Sequence, residues 1–417
     1  MLRIRSRLAV SCVSLLLMLT CYALAGGIDK QDFKQIERGR YLTLAGDCAA
    51  CHTLPGSNYN FAGGRAIETP FGQLLAPNIT PDAETGIGAW TDDEFVNALT
   101  KGTGRDGTRL YPAMPYTYYT KLTRDDALAI RAYLNTVPAV RNPVNPNQLP
   151  FPFNIRASLI GWNTLFFTPG TFQPNPNKSA EWNRGAYLAQ GLTHCGLCHT
   201  PKNFLGGDKT SESLRGYALQ GWFAPEITNN SRQGLGDWSV DEIATYLKTG
   251  HNSTSAATGL MSEMVTRSAS LMTEADLKAI ATYLKDQPSK NENQATSDKP
   301  DQAVMKIGAA IYADECAGCH AANGKGASGL FPSLDGSPAV QQTDPTTLLH
   351  VVLRGARSAA TDGAPTGAAM PQFDWILNDG QVAAVLTYIR NAWGNAASPV
   401  SVGEVNKTRH VLIEQTD

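Results

Sequence analysis

Cys48-Ala49-Ala50-Cys51-His52, Cys195-Gly196-Leu197-Cys198-His199 and Cys316-Ala317-Gly318-Cys319-His320 are three copies of one pentapeptide, C-x-x-C-H. They hold six of the eight cysteines; the other two, Cys12 and Cys21, lie in an N-terminal leader. There Arg3, Arg5 and Arg7 precede an apolar run over residues 8–24, which closes on Ala23-Leu24-Ala25. This reads as a secretory signal peptide cleaved after Ala25, because the run is short for an anchor and ends in a small-x-small site. After cleavage no cysteine is left over for a disulfide. The copies stand 147 and 121 residues apart, whereas a structural zinc site gathers its ligand pairs in one small module. A thioredoxin-like centre needs a βαβ setting and no His after each pair. In an exported chain the pattern indicates covalent haem: two thiols on one helical turn each bond a vinyl group, and the following His supplies an axial nitrogen. Three haem c groups are expected, on Cys48/Cys51, Cys195/Cys198 and Cys316/Cys319, with His52, His199 and His320 beneath the irons.

The remaining composition fits a globular chain. Of 417 residues, 42% are hydrophobic and 17% charged, which is enough for two to four domains. The net charge of −2 becomes −5 once the leader removes three arginines and no acids; no basic field for nucleic acid is present. No later stretch approaches 18 unbroken apolar residues, so no further span is expected.

The first two copies sit in duplicated units. Arg38-Gly39-Arg40-Tyr41-Leu42 matches Arg184-Gly185-Ala186-Tyr187-Leu188, and Ala76-Pro77-Asn78-Ile79-Thr80 matches Ala224-Pro225-Glu226-Ile227-Thr228. Gly86-Ile87-Gly88-Ala89-Trp90 matches Gly234-Leu235-Gly236-Asp237-Trp238, and each unit closes on an apolar helical stretch, 129–134 or 279–284. The third unit is shorter, with helices expected over 308–312, 348–353 and 382–393. The expected fold is all-α: three tandem cytochrome c-type domains at 28–140, 181–286 and 303–395, each wrapped around one covalent haem. Between them lie a Pro- and Asn-rich connector (141–180) and a polar joint (287–302), and a polar tail (396–417) follows. The connector's apolar Leu159-Ile160-Gly161-Trp162 and Leu165-Phe166-Phe167 are expected to pack across the first two domains, with a docking surface for a partner or bilayer as the other reading.

The far-side ligand separates an electron carrier from a haem enzyme. Met114 and Met261 each lie 62 residues beyond their histidine, and Met370 lies 50 beyond His320. Duplication register selects Met261 over its neighbour Met264. Met as core filler is the usual case; three methionines at matching places argue for ligation. His194, His251, His350 and His410 are the rival ligands, each also explained as a surface or hydrogen-bonded buried residue. Pro77, Pro225 and Pro332 are candidates for the carbonyls that orient the proximal rings, although loop prolines also serve as turns.

At this point the chain resembles the triheme cytochrome c subunit of membrane-bound bacterial dehydrogenases, the family serving gluconate, alcohol, sorbitol, fructose and aldehyde dehydrogenases. The likeness spans about residues 30–395 and is carried by residues 38–42, 48–52, 76–81, 88–91, 110–116 and 259–265. The resemblance implies a partner catalytic subunit carrying flavin, PQQ or a molybdenum cofactor. It also implies ubiquinone or a terminal oxidase as acceptor, on the periplasmic side of the inner membrane. Leu260 and Met264 stand where such proteins often have Pro and Val. The polar tail differs from an apolar amphipathic C-terminal anchor, so membrane association is expected to be peripheral or through the partner. This chain itself is not expected to transform a substrate. The alternatives are a haem enzyme with one open axial site and a free periplasmic shuttle.

Overall fold

In each unit an opening helix crosses a closing helix at a glycine. The computed structural model describes residues 32–289 and 299–414, so the leader and most of the joint lie outside the described residues. Unit 1 opens with Phe33–Ala45, whose first amides are capped by the Asp32 carboxylate, and closes with Arg124–Leu134. A Cβ on Gly39 would fall 1.7 Å from the carbonyl oxygen of Ala129. Unit 2 repeats the crossing with Ala180–Tyr187 over Glu274–Lys285, Gly185 meeting Ala279 at 1.8 Å. Unit 3 repeats it with Gln302–Ile311 over Asp379–Ile389, Gly308 meeting Ala384 at 2.2 Å. Only hydrogen fits at these contacts, so the two backbones touch.

A middle helix completes each unit: Asp92–Lys101, Val240–Thr249 and Thr346–Arg354. The first two start from capping boxes, Thr91 with Glu94 and Ser239 with Glu242, and stop at Gly102 and Gly250 in the left-handed region. That is the stop signal a helix C-terminus favours.

The all-α expectation needs correction in detail. Units 1 and 2 each carry an antiparallel hairpin, Ala66–Thr69 with Gly72–Leu75 and Arg215–Leu219 with Trp222–Glu226, and unit 3 a two-residue pairing. Short polar and glycine-punctuated loops gave no alternation long enough to read as strands. The connector is also more ordered than an extended spacer. Asn147–Gln148 adds a third strand to the first hairpin, and Ser158–Phe166 is a helix. That helix bridges both units: Asn163 accepts from the hydroxyl of Tyr116 at 2.6 Å, and the Trp162 indole donates to the Leu205 carbonyl at 2.9 Å. Leu159 is buried, whereas Ile160 and Leu165 stay exposed. The polar tail is structured too. Residues Val402–Glu414 form a helix that buries Val405 and Leu412 on unit 3, with Arg409 paired to Asp379 at 2.9 Å.

Units 1 and 2 share one core. Leu42, Ile130 and Leu134 of the first lie in the same cluster as Leu188, Leu192 and Ile280 of the second. The contact is a pseudo-two-fold exchange. Arg38 pairs with Asp126 inside unit 1 and Arg184 with Asp276 inside unit 2. The Tyr187 hydroxyl donates across to Asp126, and the Tyr41 hydroxyl donates to Asp276 at 2.6 Å. Unit 3 has its own core and docks on the edge of the second hairpin. There Thr347 bonds both backbone groups of Phe223, at 2.8 and 3.0 Å, and His350 stacks on Trp222 at 3.8 Å.

Candidate haem-attachment sites

Each pentapeptide folds as a short helical turn that follows its opening helix: Cys48–His52, Gly196–His199 after Cys195, and Ala317–His320 after Cys316. In units 2 and 3 the approach runs through a π-helical turn, residues Leu188–Leu192 and Tyr312–Cys316. In every unit the histidine Nδ1 meets a proline carbonyl: His52 with Pro77 at 2.7 Å, His199 with Pro225 at 2.7 Å, and His320 with Pro332 at 3.1 Å. A carbonyl only accepts, so each ring donates from Nδ1. Burial pulls all three imidazoles below their usual pKa, against the opposing pull of the carbonyl bond. The neutral ring is favoured, and its remaining lone pair is on Nε2, the form a metal binds.

Glycines the sequence did not single out make this approach possible. Gly63 (φ 76°) would place a Cβ 2.5 Å from the carbonyl carbon of Pro77, and Gly326 (φ 61°) one 2.6 Å from the Pro332 oxygen. Gly216 (φ 88°) lies in the same way against Ala224, beside Pro225. They follow their histidines at 11, 17 and 6 residues, so no common spacing marks them in the sequence.

Among the described residues the six pentapeptide cysteines form no disulfide. Burial pushes the thiols of Cys48, Cys198 and Cys316 up. Among the described residues no three His, Cys, Asp or Glu side chains gather as an ion-binding group. Each thiol pair therefore serves its own unit together with one pinned imidazole. That donor set fits a haem attached through two thioethers and ligated by Nε2, and it does not suit a shared zinc or iron–sulfur centre.

Met114, Met261, Met264 and Met370 are all partly buried at the margins of the cores. Met114 sits in the turn before Tyr116–Tyr119. Met261 and Met264 share the helix Gly259–Arg267, and Met370 pairs with Ala356 beside Gly355, where a Cβ would lie 2.6 Å from the Met370 oxygen. The other histidines have structural partners or settings of their own. His350 bonds the Gly221 carbonyl at 2.9 Å, His410 bonds Asn406, and His194 lies edge-on to Tyr119. The Nε2 of His251 is buried with no hydrogen-bond partner among the described residues.

Among the described residues no helix is long and apolar enough to cross a membrane. The cytochrome c family model matches residues 36–138 and 305–393, leaving the middle unit unmatched. The chain is 38% identical over 388 residues to the gluconate 2-dehydrogenase cytochrome c subunit of Pantoea cypripedii, covering 88% of each. It is 38% identical to the fructose dehydrogenase cytochrome subunit of Gluconobacter japonicus, over 90% of this chain and 82% of that one. The cytochrome c subunit of the quinone alcohol dehydrogenase of Gluconobacter oxydans is likewise 38% identical, over 90% and 82%. With its attachment turns, pinned histidines and duplicated units, the chain belongs to the cytochrome c subunits of the gluconate, fructose and quinone alcohol dehydrogenase family.

Proposed function

We propose that this chain is a triheme electron-transfer subunit that works beside a separate dehydrogenase catalytic subunit. One haem c belongs to each of the units at 28–140, 181–286 and 303–395. Each would supply a one-electron iron couple when bound. The carrying observation is the threefold recurrence of an imidazole pinned through Nδ1 by a proline carbonyl, which leaves the Nε2 lone pair available to a metal. The residues proposed to hold the groups are the three cysteine pairs, with His52, His199 and His320 on one side and Met114, Met261 and Met370 on the other. A thioether opposite imidazole raises the potential relative to two imidazoles, suiting acceptance from a flavin, PQQ or molybdenum donor. The Pro77, Pro225 and Pro332 carbonyls fix ring orientation, so no ligand has to reorganise as charge passes. Ubiquinone or a terminal oxidase would take the electrons on the periplasmic side of the inner membrane, the chain held there peripherally or by its partner.

The test is purification from the native membrane with its partners. Three covalent haems per chain by pyridine haemochrome, low-spin spectra unchanged by carbon monoxide, and a co-purifying dehydrogenase are expected. Carbon monoxide binding to one haem would instead make the chain a haem enzyme, and purification without any dehydrogenase would make it a free shuttle.

A further inference from the structure

Units 1 and 2 meet through two ion-paired bridges as well as their shared core. Arg65, in the loop entering the first hairpin, donates from Nη1 to the Ala50 carbonyl at 2.5 Å, inside the turn Cys48–His52. The same guanidinium grips the Glu263 carboxylate of unit 2 with both nitrogens, Nη2 to Oε2 at 2.8 Å. Glu263 stands between Met261 and Met264 on the helix Gly259–Arg267, and Arg267 backs it at 3.1 Å. The bridge is thus a charge-assisted fork, the strong and directional kind.

A second bridge runs the other way. Lys202 of unit 2 donates from Nζ to the Gly196 carbonyl at 3.3 Å, within residues 195–199, and also to Asp208. Asp208 accepts from the Tyr118 hydroxyl of unit 1 at 2.5 Å. Tyr118 lies four residues beyond Met114, and its ring so crowds Gly196 that a Cβ there would come within 2.9 Å. In both directions a cation and a carboxylate tie one unit's methionine-bearing segment to a backbone carbonyl in the other unit's attachment turn.

We propose that Arg65–Glu263 and Lys202–Asp208–Tyr118 are positioning residues that make the distal-ligand geometry of each of the first two haem sites depend on the other unit. The inference rests on the triheme reading above. The helix carrying Met261 buries Val265 and rests its methionines on the core, but its start is weakly held. It is nine residues long, lacks a side-chain cap at Thr258, and starts at Gly259 (φ 56°) pressed on Trp222. Met370 is held inside unit 3 by its own strand pairing, which supplies an internal control.

The experiment uses the full haem-loaded chain with Arg65→Gln, Glu263→Gln, Asp208→Asn and Arg65→Lys. The readouts are haem count, the long-wavelength methionine-to-ferric charge-transfer band, and a potentiometric titration. With three haems retained, Arg65→Gln and Glu263→Gln are expected to remove up to one methionine's share of the band and lower one potential, since losing a thioether ligand lowers it. Asp208→Asn should remove a different share, and Arg65→Lys, which keeps the charge but not the fork, an intermediate amount. If either glutamine variant fails to mature, Arg65→Lys and Asp208→Asn decide by the same readouts. Full band intensity and three unchanged potentials, even with a lower melting temperature, would make the bridges merely structural and overturn the proposal. A wild-type chain with fewer than three haems, or without the band, would overturn the triheme reading instead.

Discussion

At the residue scale, the same substitution is predicted to have opposite signs at two helical glycines. Gly39→Ala would drive a methyl group to 1.7 Å from the Ala129 oxygen. The opening helix must then lift off the closing one, at a cost of about 3 kcal/mol. Gly161 lies in the helix Ser158–Phe166 with nothing within 4 Å of its virtual Cβ. There Gly→Ala is expected to stabilise by about 0.5–1 kcal/mol, through helix propensity and a stiffer unfolded chain. Urea melts of the two variants give both numbers. Asp276 supplies a pH test. Burial pushes its carboxyl up, yet the bonds from Arg184 and Tyr41 more than offset this and hold it below the ordinary value. Its contribution is therefore complete above the unfolded carboxylate value of about 4 and is lost as pH falls below it. Asp276→Asn should flatten the decline in stability below about pH 4, read by acid titration of the melting temperature.

At the element scale, helix boundaries follow local chemistry. Thr91 and Ser239 each accept from the backbone three residues on, while Glu94 and Glu242 return the bond to the cap amide. Removing the hydroxyl in Thr91→Ala or Ser239→Ala should cost about 1 kcal/mol each, measurable as a lowered urea midpoint at constant m. The closing helices, with their apolar period over 129–134 and 279–284, were legible. The hairpins were not, because four- and five-residue strands in loops with little alternation resemble any polar connector. The helix of the tail was not legible for a related reason. Its polar composition hid two apolar positions, Val405 and Leu412, that matter only because unit 3 offers a surface to receive them.

At the scale of the whole molecule, units 1 and 2 act as one body and unit 3 as a second one docked on it. Tyr41→Phe and Tyr187→Phe each remove a hydroxyl donated to a carboxylate across the pseudo-two-fold interface. Each should cost about 1.5–3 kcal/mol. Because the core is shared, calorimetry of either variant should show units 1 and 2 melting together at a lower temperature, with unit 3 unaffected. A drop confined to one of the first two units would count against a common core.

What the sequence determined by itself is local: three C-x-x-C-H pentapeptides, the histidine that ends each, the duplicated segments with their prolines, and the helices that bracket them. Those features need only a few neighbouring residues, so spacing reveals them. Only the tertiary structure decided that Arg65 faces Glu263 across 198 positions, that Tyr41 and Tyr187 trade partners, and that Gly39, Gly185 and Gly308 let backbones touch. Such contacts join residues whose chemistry is ordinary in isolation. They acquire meaning when close packing of two duplicated units brings distant stretches of chain within hydrogen-bond reach.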